Sequence, residues 1–401
     1  MIAFGFIERP DRFVSVQAFG SFTLRSVKSG AIGSLSLAIA VCCSAPAASR
    51  ALPCAALRGV RLDKANIVFS QLVDSGKFVP PTIVRRASPE FFTAFNTLPA
   101  FCRVQVVAEP SSDSRINIEV WLPATRWNRR YLAVGNGSFG GSINYYKLGE
   151  SLYSGYATSS TDTGHRGKPS ESAWADKHPE KQTDFDYRAV HETAQAAKAV
   201  IRAFYDSVPA RSYFSSCSNG GRQALMEAER YPTDYDGIMA GAPALRWGFK
   251  TFVTGDFTAF QKRGGKIIVY HGGNDNPEAN LEFFSMLRGQ MGDETVSRFF
   301  QFYVIPGMGH CGSGEEPNDF GQWLRRDDNP QRSLFKALEQ WVENGVAPDG
   351  VIATKFVVDG DPKSGIAATR KLCPYPHVAV RENAGKSSDA TGHACPPFDR
   401  Q

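Results

Sequence analysis

The chain of 401 residues lacks several features that would assign it to common classes of protein. It contains no run of five or more basic residues and carries a net charge of only +5, so no nucleic-acid partner is expected. No two cysteines have C-x-x-C spacing, which argues against a thioredoxin-type or zinc site. Internal repeats and long low-complexity tracts are also absent. With 42% hydrophobic and 21% charged residues, the composition predicts a folded protein with a large core.

Residues 1–48 predict an N-terminal extension that contains a signal peptide. Arg25 and Lys28 precede the apolar run AIGSLSLAIAVCCSAPAA (31–48), which ends in small residues. A basic flank, a short apolar core and small residues at its end are typical of secretory signals. An uncleaved membrane anchor is the alternative, although the run is short for a bilayer span. We expect a secreted or periplasmic protein with no stable membrane insertion after cleavage.

Cysteine usage agrees with export. Of the eight cysteines, Cys42 and Cys43 fall within the predicted signal peptide, which leaves an even number in the mature chain. An even number of cysteines in an exported protein favours disulfide bonds, although counting alone does not choose the pairs.

From about residue 115 onward, strand-like segments alternate with helix-like ones. The strand-like segments are 116–124, 131–137, 155–161, 211–217, 236–244, 265–272, 299–307 and 350–356, and the helix-like ones are 187–205, 219–232, 279–290 and 333–345. Such alternation implies parallel strands covered by helices, so the sequence predicts an α/β fold within a catalytic domain at 49–401. The segment 371–401 is expected to form a tail tied down by its cysteines.

The stretch SSCSNGG (215–221) places Ser218 between a predicted strand and a predicted helix. The nucleophile of an α/β-hydrolase lies on such a sharp strand–turn–helix, which needs small residues two positions before and after the serine. Ser216 and Gly220 occupy these positions, with Ser216 in place of the more usual glycine. The helix that follows would direct free amide groups at a developing oxyanion. Ser218 is therefore the candidate nucleophile.

A serine nucleophile of this fold needs an acid and then a histidine base later in the chain. Four histidines follow Ser218: His271, His310, His377 and His393. His310 follows a strand end in the glycine-rich PGMGHC (306–311) and is the candidate base, whereas His271 is expected to pack at the end of a strand. The other two lie in the predicted tail.

Asp275 follows a strand in YHGGND (270–275), where the acid belongs, and Asp256 and Asp293 are weaker alternatives. Asp162 and His165 form a rival acid–base pair. Because both precede Ser218 in the chain, we interpret them as residues that stabilise a turn.

The candidate serine and histidine each have a cysteine neighbour, Cys217 before Ser218 and Cys311 after His310. If Ser218 and His310 meet, these cysteines come close enough to bridge. The bond would close a loop of about 94 residues and contribute about 4–5 kcal/mol in the chain-entropy model. Two unrelated buried cysteines are the alternative.

Three motifs together resemble the tannase and feruloyl esterase family of α/β-hydrolases. They are CSNGGRQALMEAERYPTDYDGIMAGAPA (217–244), YHGGND (270–275) and GMGHC (307–311), and the resemblance extends from about Cys54 to Cys395. It implies a serine carboxylic ester hydrolase that acts on small-molecule esters of aromatic acids such as gallate or ferulate. A catalytically impaired relative that acts as a binding protein, or an amidase or peptidase with the same triad, are the alternatives.

The resemblance also implies the roles of particular residues: Ser218 as nucleophile, His310 as base and Asp275 as acid. It implies three disulfides, Cys54–Cys102, Cys217–Cys311 and Cys373–Cys395. The oxyanion hole is expected from the backbone amide of Asn219 and one in the glycine turn at 135–137, for which we choose Gly137.

Members of this family carry a large lid domain between the strands that here end in GAPA and begin near GGKIIVYHG, but only 245–263 separates them in this chain. The family's calcium site belongs to that lid, and no acidic cluster replaces it, so we expect neither calcium nor any cofactor. Four aromatic residues of the linker are candidates to cap the site instead: Trp247, Phe249, Phe252 and Phe257. The alternative is that they cover exposed core. The oligomeric state and the particular ester stay open.

Overall fold

The computed structural model describes residues 51–81, 94–322, 324, 328–381 and 390–396. The predicted signal peptide at 1–48 lies outside the described residues. Within these ranges, no helix has the length and apolar character needed to cross a membrane.

Within the described residues, nine strands form the central sheet. They are β1 (Ala65–Val73), β2 (Phe101–Ala108), β3 (Ile116–Pro123), β4 (Arg130–Val134), β5 (Ala157–Thr161), β6 (Arg211–Cys217), β7 (Gly237–Gly241), β8 (Lys266–Gly272) and β9 (Phe300–Ile305). Their order in the sheet is β1-β2-β3-β5-β4-β6-β7-β8-β9. Every neighbouring pair from β5 to β9 is parallel, whereas β1, β2 and β3 add an antiparallel edge. The mostly parallel α/β sheet is therefore confirmed, and the sequence patterns had not indicated β1 and β2.

Helices cover the sheet. They are α1 (Tyr145–Tyr153), α2 (Pro179–Thr183), α3 (Ala189–Tyr205), α4 (Asn219–Arg230), α5 (Thr258–Lys262), α6 (Glu278–Met291), α7 (Asp293–Ser297) and α8 (Leu334–Asn344). Side chains of successive strand residues point to opposite faces. Accordingly, Ile267 of β8 packs in the core beneath α3 and α4, and Ile268 packs in the core beneath α1 and α8. Burial on both faces explains why β7 and β8 read as nearly continuous apolar runs.

Two short sheets lie outside the central one. β10 (Val351–Phe356) pairs antiparallel with β11 (Ile366–Leu372), and β12 (Val380–Arg381) pairs with β13 (His393–Ala394). The strand predicted at 350–356 thus exists, but its partner is the next strand of the chain. The tail is held by the β12–β13 pair and by the disulfide between Cys373 and Cys395.

The linker 245–263 connects β7 to β8 through α5. Phe257, which we expected as a possible cap of the active site, is fully buried in the core and packs 6.0 Å from Phe300 by ring centroids. That expectation was wrong for Phe257, because its side chain points inward to cover the core next to Phe260 of α5. Trp247 and Phe252 are exposed instead.

Candidate active site

The carboxyl ends of the parallel strands bring the candidate residues to one edge of the sheet. Gly137 follows β4, Ser218 follows β6, Asp275 follows β8 and His310 follows β9. Ligands bind at this edge in open α/β sheets, because the loops that follow parallel strands converge there.

Ser218 occupies the sharp turn between β6 and α4. Its backbone has φ 64° and ψ −127°, a conformation that costs a non-glycine residue on the order of 1–3 kcal/mol. The turn is tight: a Cβ atom on Gly220 would lie 2.0 Å from Ser216 Oγ. The Ser218 amide donates a hydrogen bond to the Gly241 carbonyl at 2.9 Å, which ties the turn to β7. This strained strand–turn–helix is the geometry of an α/β-hydrolase nucleophile.

His310 and Asp275 meet across two neighbouring loops. The Nδ1 atom of His310 lies 2.5 Å from Asp275 Oδ2, and the His310 side chain is 51% exposed. Backbone hydrogen bonds join the loops, from Gly273 N to Ile305 O at 2.8 Å and from Asn274 N to Met308 O at 3.0 Å. The carboxylate can therefore hold the imidazole in one orientation.

The alternative residues have other partners. Asp256 accepts a hydrogen bond from the amide of Thr258, and Asp293 accepts one from Arg288. His377 Nδ1 contacts the carbonyl of Pro396 in the tail, where His393 also lies.

A disulfide joins the serine turn to the histidine loop. Cys217 and Cys311 are bonded with a Cα–Cα distance of 5.8 Å, and a ring nitrogen of His310 lies within 4.8 Å of both sulfur atoms. Cys54–Cys102 and Cys373–Cys395 are the other two disulfides among the described residues, so the pairings implied by the resemblance are those present in the structure.

No hydrogen bond links Ser218 Oγ to His310 within the described residues; such bonds often tighten only when substrate binds.

His271 is a neighbour of the site that the sequence assigned only to packing. It is buried at the end of β8 as expected, but its Nε2 atom lies 3.8 Å from Asp275 Oδ2. Burial lowers the pKa of His271. Asp275 therefore has an imidazole on two sides. The spacing of His271 and Asp275 within YHGGND was the feature of the sequence that could have indicated this contact.

The glycine turn after β4 approaches the start of α4. A Cβ atom on Gly135 would lie 2.4 Å from Gln223 Oε1 and 3.0 Å from Gly220 Cα. Gln223 Oε1 accepts the amide of Asn136 at 3.1 Å, so a buried side chain of α4 positions the turn that holds Gly137. Within the described residues, the amides of Gly137 and Asn219 donate to no protein group. Both amides remain available to a bound oxyanion. The sequence analysis did not identify Asn136 and Gln223 as residues that position this turn.

The side chains of Asp162 and His165 form no hydrogen bond with each other in the described part of the chain; the His165 amide donates to the Asp162 carbonyl at 3.5 Å. Asp162 accepts hydrogen bonds from the amides of Asn117 and Gly164, each at 3.0 Å, and burial raises its pKa to about 6. His165 stacks on Trp174 at 3.5 Å, and burial lowers its pKa to about 4. These contacts agree with a structural role in the turn.

Two clusters of three possible metal-ligating side chains occur within the described residues. One consists of His310, Cys217 and Cys311, but both cysteines are consumed by their disulfide. The other consists of His191 on α3, Glu227 on α4 and Asp234 in the segment after α4. The linker 245–263 contains a single carboxylate, Asp256.

The parallel sheet and the serine on its strand–turn–helix define an α/β-hydrolase. The family described as Tannase and feruloyl esterase matches residues 102–255 and 251–396, so the chain belongs to that family and is a carboxylic ester hydrolase.

Curated relatives agree with this assignment. The chain is 26% identical over 538 residues to an uncharacterized esterase of Xanthomonas campestris, with 87% of this chain and 92% of that protein covered. It is 23% identical over 498 residues to a probable feruloyl esterase B-2 of Aspergillus terreus, with 84% and 93% covered. Both alignments are longer than the 401 residues of this chain, so both relatives contain segments that it lacks.

Solved structures show the same fold. Feruloyl esterase B from Aspergillus oryzae superposes with a TM-score of 0.74 at 23% identity, covering 86% of this chain and 99% of that one. Tannin acyl hydrolase from Aspergillus niger superposes with a TM-score of 0.63 at 17% identity, covering 84% and 92%.

Proposed function

We propose that the protein is a secreted serine esterase that hydrolyses esters of aromatic acids through Ser218, His310 and Asp275. The observation that carries the proposal is the 2.5 Å contact between His310 Nδ1 and Asp275 Oδ2, in a loop that a disulfide attaches to the residue before Ser218. This arrangement supplies a nucleophile, a base beside it and an acid that orients the base.

In the first step, Ser218 Oγ attacks the ester carbonyl carbon while His310 Nε2 takes the hydroxyl proton. The carbonyl oxygen becomes an oxyanion, which accepts hydrogen bonds from the amides of Asn219 and Gly137. His310 then gives the proton to the leaving alkoxide as the ester C–O bond breaks, and an acyl-enzyme remains. Water attacks this intermediate with the same base, and the carboxylic acid departs.

Asp275 acts on the reaction through His310. Its carboxylate accepts a hydrogen bond from the Nδ1–H group of His310, so Nε2 is the nitrogen left free to face Ser218. The same carboxylate stabilises the imidazolium that forms in each half of the reaction.

The substrate class is supported by the relatives, because several of them are named feruloyl esterases. Export is supported by the three disulfides, since such bonds persist in oxidising compartments. The two family matches overlap at 251–255, inside the linker, which supports a lid reduced to 245–263.

The test compares wild type with Ser218→Ala on methyl ferulate, methyl butanoate and a ferulic anilide. We expect wild type to hydrolyse the esters and Ser218→Ala to lose at least about 10³-fold in kcat with an unchanged melting temperature. A serine-directed phosphonate should label wild type at Ser218 by peptide mapping. Ester turnover that survives in Ser218→Ala would contradict the proposal. Folded wild type without turnover would favour a binding protein, and cleavage of the anilide alone would favour an amidase.

A further inference from the structure

An aromatic surface stands beside the candidate oxyanion turn. Phe139 lies two residues after Gly137, in a turn closed by a hydrogen bond from Gly140 N to Gly137 O at 2.9 Å. Its ring centroid is 4.8 Å from that of Trp247 in the linker. The Trp247 side chain is 41% exposed, so part of the indole is open to solvent.

The same tryptophan is connected to the nucleophile turn by backbone hydrogen bonds. Ala244 N donates to Ser218 O at 3.2 Å, and Trp247 N donates to Ala244 O at 2.9 Å. The Trp247–Phe139 pair therefore joins the segment after Ser218 to the segment after Gly137, where the ester carbonyl would bind.

A buried carboxylate fixes the linker behind Trp247. Asp186 accepts hydrogen bonds from three consecutive amides, those of Phe249 at 2.9 Å, Lys250 at 2.7 Å and Thr251 at 3.0 Å. Since this anchoring is complete before any ligand arrives, binding to the surface does not need to order the segment.

Arg222 extends this anchor to the residue after the nucleophile. Its guanidinium donates to Asn219 Oδ1 at 2.7 Å and to the carbonyls of Asp186 and Phe185 at 2.8 and 3.0 Å. Arg222 is fully buried, and its guanidinium also lies 5.0 Å from the centre of the Phe185 ring. One network thus sets the position of the linker relative to Asn219.

A lower layer of rings supports the pair. Phe185 is buried, and its ring centroid lies 6.0 Å from Phe139 and 5.5 Å from Phe249. The lower rings are therefore packed against one another, while Trp247 is 41% exposed. Two aromatic rings in contact prefer either a stacked or an edge-to-face arrangement.

The leaving alcohol must face His310. It receives its proton there, and a cavity of about 150 Å³ beside Cys311 is lined by Lys147 and Gln322 but also by Gly137 and Cys217. Neither Trp247 nor Phe139 lines that cavity. The aromatic pair lies next to Gly137 and outside this cavity, so it is available to the acyl group when the alcohol faces His310.

Resting on the proposed function, we infer that Trp247 and Phe139 form the subsite for the aromatic ring of the acyl group. Asp186 is a positioning residue that holds the linker in place for this contact. The short linker thus supplies a specificity element of its own.

The test compares Trp247→Ala with Phe252→Ala, a matched control at another exposed aromatic residue of the linker. Methyl ferulate and methyl butanoate differ in the acyl group but share the methanol leaving group. An aromatic contact of about 0.5–1.5 kcal/mol corresponds to a change of about 2- to 12-fold in binding affinity. We expect Trp247→Ala to raise KM for methyl ferulate by about that factor and to leave kcat/KM for methyl butanoate within about 2-fold. Phe252→Ala should match wild type on both esters, and Trp247→Phe should restore most of the lost affinity.

Asp186→Asn tests the positioning role. It should also raise KM for methyl ferulate with little change for methyl butanoate, whereas a general loss of folding would lower both rates. Equal losses on both esters in Trp247→Ala, or no loss on either, would overturn the subsite while the esterase proposal stands. Failure of wild type to hydrolyse either ester would overturn the proposed function itself.

Discussion

Gln223 Oε1 accepts the backbone N–H of Asn136 at 3.1 Å, so a side chain from the helix after Ser218 holds the turn that carries Gly137. The two amides of the proposed oxyanion hole are thereby set by one helix, α4. Asn136 is itself held by two further bonds from its Nδ2 atom, to the carbonyls of Ser142 and Thr161 at 2.7 and 2.8 Å.

Gln223→Ala should therefore impair the chemical step. Loss of an oxyanion donor costs about 10²–10³ in kcat, and a donor that is only displaced should cost less, about 10-fold. We expect kcat for methyl butanoate to fall by about this factor with KM nearly unchanged, measured by steady-state kinetics. A change in KM alone would show that the turn does not contribute to transition-state stabilisation.

Removal of the Cys217–Cys311 disulfide should reduce both stability and activity. The bond spans 94 residues, which corresponds to about 4–5 kcal/mol of unfolding free energy in the chain-entropy model, and it holds the His310 loop at the serine turn. The double variant Cys217→Ser/Cys311→Ser should show a lower urea midpoint and a large loss of kcat.

The matched control for this disulfide is Cys373→Ser/Cys395→Ser. That bond spans 22 residues and lies in the tail, so it should cost about 3 kcal/mol of stability while kcat is retained under conditions where the variant is folded. Equal activity losses in the two double variants would contradict a specific role for the Cys217–Cys311 bond.

His165 should make stability depend on pH in the acidic range. Burial lowers its pKa to about 4, so between about pH 4 and 6.5 the unfolded chain binds a proton that the folded chain does not. Its contribution is fully present above pH 6.5 and is lost as the pH falls toward 4. His165→Phe keeps a ring to stack on Trp174 and should flatten the change in urea midpoint between pH 7 and pH 5. If the urea midpoint of His165→Phe changes with pH as much as that of wild type, His165 is not the cause of the pH dependence.

Glu227 should make stability depend on pH in the opposite direction. It is buried, and burial together with Asp234 raises its pKa well above the ordinary value. The folded chain keeps a proton that the unfolded chain releases, so this contribution to stability declines as the pH rises above about 4.3.

Glu227→Gln keeps the shape of the side chain without a titrating group. It should match wild type near pH 4.5 and exceed it in melting temperature at pH 8 to 9. Parallel melting-temperature curves for the two proteins across this range would contradict the shifted pKa of Glu227.

Much of the parallel core could be predicted because each strand and helix carries its own local pattern. The segment at 187–205 has apolar residues at helical spacing, and the structure forms α3 at Ala189–Tyr205. By contrast, β1 and β2 form an antiparallel edge: β2 is buried at most positions and the buried positions of β1 do not alternate, so neither strand shows a clear alternation of apolar and polar residues. The separate pairing of β10 with β11 also depends on a neighbouring strand rather than on β10 itself.

The amino-acid sequence by itself determined the α/β class, the strand–turn–helix at Ser218 and the cysteines beside Ser218 and His310, since these follow from local pattern and spacing. Only the tertiary structure decided which carboxylate faces His310: three aspartates were candidates, and the parallel alignment of β8 with β9 brings the Asp275 loop to it. The structure also decided that Phe257 enters the core while Trp247 stays exposed beside Phe139. Both are aromatic residues of one linker, and their burial depends on which side of the linker meets the sheet, which neighbouring residues in the sequence do not specify.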